Sequence, residues 1–152
     1  MNALSRRAVN AYARIGVETG VPSASPPQLV LMLYEGAITA IASAQQHLRL
    51  KHIAARGEAV SKAISIIDGG LKASLDRSVG GELAENLFGL YAYMSRRLLQ
   101  ANLRSDHGGL EEVRQLLVQL KGAWVTLAAT PPEAPAAPVA AQRRVAALSV
   151  NR

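Results

Sequence analysis

Four consecutive stretches of this chain repeat their apolar residues at three- and four-residue spacing. Each runs for about 20 to 25 residues, far longer than a strand. The first opens at Ser25-Pro26-Pro27-Gln28, with serine at the N-cap, proline at the first helical position and glutamine three residues on. It is predicted to run to about Leu50 with Leu29, Met32, Leu33, Gly36, Ala37, Ala40, Ile41, Ala44 and Leu48 on one broad face. The second, from about Ile53 to Leu75, carries Val60, Ile64, Ile67 and Leu71. The third, from about Gly81 to Leu103, carries Leu83, Leu87, Leu90, Met94, Leu98 and Ala101. The fourth, from about Gly109 to Leu127, has Glu111 and Glu112 in its first turn and Val113, Leu117, Leu120, Trp124 and Leu127 along one side. Only short links separate them, at Lys51-His52, Asp76–Gly80 and Ser105–Gly108. Short links make consecutive helices antiparallel neighbours. The expected fold is all-α: an antiparallel up-down-up-down four-helix bundle over residues 25–128.

The two ends differ from this body. Residues 1–24 hold a short helix signal, Ala8 to Val17, with Val9, Tyr12 and Ile15 on one side, and Gly20-Val21-Pro22 ends it. This is expected to be a mobile N-terminal segment. Residues 129–152 place Pro131, Pro132, Pro135 and Pro138 among alanines, which reads as a disordered tail.

Composition supports helices. Hydrophobic residues make up 49% but aromatics only 4%, and alanine and leucine dominate the apolar set. There is no cysteine, so disulfides and thiolate metal sites are ruled out. Met1 to Arg14 has no apolar core of a secretory signal, and no uninterrupted apolar run nears the roughly 18 residues of a membrane span. A cytoplasmic protein without membrane insertion is expected. The net charge of +6 and pI of about 10.2 raise a basic helical nucleic-acid-binding protein as the alternative. Each end, however, has three arginines against one glutamate, while the body between holds 11 basic and 9 acidic residues. Excess charge on two tails argues against a phosphate-binding stripe.

Catalytic constellations are not apparent. His47 and His52, five apart, point about 140° apart on a helix. No glutamate has a histidine three residues on, as a bundle di-iron site needs. Gly69-Gly70, Gly80-Gly81 and Gly108-Gly109 make no phosphate loop. No cofactor or metal is expected, and no enzyme activity. What stands out is surplus apolar surface. The second helix adds Ala59, Ala63, Ile66, Gly70 and Ala73 to its main line, the third Phe88, Tyr91, Tyr93 and Leu99, the fourth Leu110 and Leu116. Gly36, Gly70 and Gly89 sit inside helices. Wide core packing and a groove for a partner helix both account for these features.

An ordered set of short matches narrows the choice. Ala11-Tyr12, Ser25-Pro26-Pro27-Gln28-Leu29, Met32-Leu33-Tyr34-Glu35-Gly36-Ala37, Ile66-Ile67-Asp68, Leu90-Tyr91-Ala92-Tyr93-Met94, Arg96 through Leu103 and Ala123-Trp124 together resemble the FliS family of flagellar secretion chaperones, over about residues 8 to 128. The resemblance implies a cytoplasmic bundle that binds the disordered C-terminal region of flagellin, prevents premature polymerisation, and docks on the cytoplasmic domain of the export-gate protein FlhA. It also implies that the N-terminal segment covers part of the client groove, with Val9 and Tyr12 as its apolar-x-x-Tyr element. The residues expected to meet client or gate are Val9, Tyr12 and Ile15 on the segment, and Tyr34, Ile66, Gly70, Leu90, Tyr91 and Met94 on the bundle. A homodimer without client is compatible with this reading.

Overall fold

The computed structural model describes residues 25–129. Helix α1 spans Pro26–Arg49, α2 Ile53–Ser65 with a wider-turned continuation Ile66–Lys72, α3 Arg77–Arg104 and α4 His107–Ala129. The described residues hold no strand. Helix α1 packs between α2 and α4, and α3 closes the ring against the same two, giving the up-down-up-down bundle.

The start of α1 is set by its local chemistry. The Gln28 N–H donates to Ser25 Oγ at 3.3 Å, and the Ser25 N–H donates to Gln28 Oε1 at 3.0 Å. This reciprocal pair satisfies donors that the first turn leaves without helical partners. At the far end, the Lys51 N–H donates to the Leu48 carbonyl and the His52 N–H to the His47 carbonyl. Lys51 is in the left-handed region, at φ 59°. Helix α3 ends in the same way: Ser105 has φ 51°, its N–H donates to Asn102, and the Asp106 N–H donates to Ala101. Both are Schellman turns, with a lysine and a serine where glycine is usual.

Helix α3 is broken near its start. Gly81, at φ 60° and ψ −138°, separates a capped turn, Arg77–Gly80, from the main helix. Only glycine adopts that conformation without strain. Asp76 Oδ1 caps the leading turn by accepting from the Ser78 and Val79 N–H groups, both at 3.2 Å.

The last part of α2 departs from α-helical winding. Over Ile66–Lys72 the turns widen to π geometry. The buried line of α2 is Val60, Ala63, Ile67 and Leu71, so Ile64, expected on that line, is only half-buried. The continuation packs closely on α1. A Cβ on Gly70 would sit 2.8 Å from Leu33 Cδ2, and one on Gly36 would sit 3.3 Å from Ile66 Cδ1. These two glycines serve close helix packing, one of the two readings their positions allowed.

The core is filled by Val30, Ile41, Val60, Ile67, Leu71, Met94, Leu98, Leu110 and Leu117, with alanines where the helices approach most closely. Two tyrosines meet inside it: the Tyr34 and Tyr91 hydroxyls are 2.6 Å apart. The Trp124 Nε1–H donates to the Pro27 carbonyl at 3.0 Å, tying the end of α4 to the start of α1. Helix α1 is long and apolar enough to cross a membrane, with an 18-residue window of mean hydropathy 1.2, but its apolar line forms this core.

Replacing Lys51 with glycine should remove the left-handed strain and stabilise the fold by about 1 kcal/mol. Thermal denaturation should register a rise of several degrees, about 4 to 8 °C per kcal/mol for a domain of this size. A fall would show that the lysine side chain contributes more than its backbone costs.

Candidate functional site

Met94, Leu98 and Ala101 turn the inner side of α3 toward the core. That leaves other apolar residues outside. Leu99 and Leu103, one turn apart, are 52% and 75% exposed. Their flank is set by polar stitches to α2. The Arg56 guanidinium, only 7% exposed, donates from Nε to Asn102 Oδ1 at 2.8 Å, from Nη2 to the Asn102 carbonyl at 3.0 Å and from Nη1 to Ser105 Oγ at 3.0 Å. Farther along, the Ser95 hydroxyl donates to Asp68 Oδ1 at 2.7 Å. Ser95 and Asn102 therefore face α2, and Leu99 lies between them on the helix surface. On α2, Ile64 sits one turn before Asp68, and Ile53 one turn before Arg56. Ile53 is 70% exposed. The α2–α3 seam thus has polar contacts toward its ends and an apolar rim of Ile64, Ala92 and Leu99 between them.

The expected site residues divide into three groups. Val9, Tyr12 and Ile15 lie outside the described residues. Tyr34, Tyr91 and Met94 are in the core, at 2%, 0% and 0% exposure. Among the described residues, the Tyr34 and Tyr91 hydroxyls meet each other there. Ile66 and Gly70 belong to the α1–α2 contact, and Leu90 is half-buried against the core. The rim residues Ile64 and Ala92 were not singled out from sequence as docking residues.

The α3–α4 face is built differently. Arg97 donates from Nε to Glu112 Oε1 at 2.8 Å and pairs with Asp106 at 3.3 Å, and the Tyr93 hydroxyl donates to Glu112. The bonds from Tyr93, then Arg97, hold the Glu112 carboxyl below its usual range, and Glu112 in turn pushes the Tyr93 phenol up. The Gly109 N–H, with help from Arg97, lowers Asp106. Glu111 is lowered strongly by Arg114, then by Gln115 and Gln45, each of which donates to it at 2.8 Å. This face is occupied by its own ion pairs and hydrogen bonds, whereas the α2–α3 rim is apolar.

A third surface, the α1–α2 groove of about 340 Å³, is lined by small and polar residues including Thr39, Ser43, His47, Glu58 and Lys62. The His47 and His52 rings are 5.7 Å apart, closer than helical projection predicts, because the turn at Lys51 brings His52 back over the helix end. Among the described residues, no group of three or more His, Cys, Asp or Glu side chains is placed to hold a metal ion.

Residues 8–131 match the family model described as flagellar protein FliS. The chain belongs to the FliS family. It is 54% identical over 116 residues to the flagellar secretion chaperone FliS of Salmonella typhimurium, covering 76% of this chain and 86% of that one. To FliS of Escherichia coli it is 47% identical over 118 residues, covering 78% and 87%. To FliS of Bacillus subtilis it is 36% identical over 107 residues, covering 70% and 78%. The FliS match includes the positions of Val9, Tyr12 and Ile15 as well as all four helices. Membership in a chaperone family points to a role in binding rather than catalysis.

The α3–α4 pairs carry a pH prediction. Carboxylates with lowered folded-state values add stability above the ordinary carboxylate range, and that stability is lost as pH falls through the lowered values. Urea midpoints should therefore drop progressively below about pH 4.5. In Glu112→Gln that drop should be shallower. An identical pH dependence in the variant would show that the cluster does not contribute.

Proposed function

We propose that this chain holds the C-terminal region of flagellin in the cytoplasm, keeps it from polymerising early, and delivers it to the export-gate protein FlhA for type III secretion. The observation that carries the reading is the apolar α2–α3 rim on a bundle whose relatives are named flagellar secretion chaperones. A disordered client that orders on binding must offset its lost conformational entropy with buried apolar area. An amphipathic helix supplies anchors at i, i+3, i+4 and i+7, and a seam between two helices is the complementary shape. No nucleotide is needed: release follows from handover at the gate. The N-terminal segment, through Val9, Tyr12 and Ile15, covers the client surface until flagellin arrives and then contributes to the complex or to gate docking.

Leu99→Glu tests the reading. The side chain is exposed, so stability should stay within about 0.5 kcal/mol of the parent. Calorimetric titration with flagellin should show affinity weakened about tenfold or more, the loss of roughly 1.4 kcal/mol at an apolar anchor. Flagellin truncated at its C-terminus should not bind either protein. Unchanged affinity in Leu99→Glu would remove the α2–α3 rim from the client surface.

A further inference from the structure

The end of the bundle where α1 and α3 finish carries a surface that client holding does not explain. Three apolar side chains project there: Leu50 at 52%, Ile53 at 70% and Leu103 at 75% exposure. Arg49, Lys51 and Arg104 stand among them, and none forms an ion pair with a carboxylate of the described residues. Arg56 adds a fourth positive charge just beneath, bonded only to Asn102 and Ser105. The nearby carboxylates Asp106 and Glu112 are both engaged by Arg97. The Schellman turns at Lys51 and Ser105 hold this end in a fixed shape.

We infer that this end is a peripheral docking surface for an anionic lipid bilayer. Charge complementarity selects an anionic partner and disfavours a second copy of the same basic end. Shape selects among anionic partners. Leu50 lies in a turn, and Ile53 and Leu103 at helix ends, so the apolar groups project and do not line a groove. A partner helix needs a groove, whereas a headgroup layer accepts projecting apolar side chains between cations. Lys and Arg near such a surface add to the attraction, and salt screens it. The inference goes beyond client binding: the seam would hold cargo while the bundle end faces the membrane.

Co-sedimentation of the full chain with vesicles is the test. The protein should pellet with phosphatidylcholine vesicles containing phosphatidylglycerol, not with phosphatidylcholine alone, and rising salt should release it. The triple variant Leu50→Ser, Lys51→Asn, Arg104→Gln removes one apolar group and two charges, and asparagine tolerates the left-handed position. It should bind anionic vesicles about tenfold more weakly or worse. Its thermal transition and its affinity for flagellin should match the parent's, which shows that it is folded. Three results would overturn the inference: no binding to either vesicle, equal binding to both, or undiminished binding by the folded variant. The last would assign lipid attraction to the basic termini, and the first would leave the surface to an acidic protein. None of the three bears on flagellin binding, which the titration reports separately.

Discussion

A ring of four helices has one interior, and each helix can turn only one stripe of its surface toward it. In this bundle the interior is bulky. Tyr34 of α1 and Tyr91 of α3 meet hydroxyl to hydroxyl at 2.6 Å inside the core. A buried polar pair of this kind requires both rings to be placed so that the bond is made, because an unmade one is costly. The facing tyrosines help fix the separation of α1 and α3, and Ile41, Ile67, Leu98 and Leu117 fill the space around them. Once that interior is full, the surplus apolar residues of α2 and α3 have nowhere to go but outside.

Much of this was legible in the sequence, for identifiable reasons. The Ser25–Gln28 box, the four apolar periods and the short links are local signals, and the helices form where those signals put them. Gly81 was legible as the boundary of the third helix, since the broken geometry there requires glycine. The remainder depends on through-space contacts. Lys51 and Ser105 occupy left-handed positions without glycine, so no local residue announced those turns. In α2 the fully buried position is Ala63, with Ile64 half-buried beside it against the core, a one-residue difference that the assumed apolar line does not anticipate. Motif resemblance had the same blind side for the site. It named Tyr34, Tyr91 and Met94 by identity, and burial, which places all three inside the bundle, is a property of the folded packing that identity does not carry.

The two outer faces of α3 illustrate how one helix serves two ends. Toward α4, Tyr93 and Arg97 reach Glu112, and the face is satisfied within the chain. Toward α2, the polar contacts among the described residues run from Arg56 to Asn102 and Ser105 and from Ser95 to Asp68, leaving Leu99 uncovered by them. An exposed apolar residue alone means little. Here it lies on an apolar rim beside a stitched seam, in a family of secretion chaperones, and the proposed client is a segment that must fold against something.

The account therefore stands on where the client lies. Amide hydrogen exchange on the chain alone and in complex with flagellin measures this directly. It should show added protection in α2 and α3 around Ile64, Ala92 and Leu99, with little change in the α4 amides around Glu112. Protection concentrated on α4, or none on the α2–α3 seam, would contradict it.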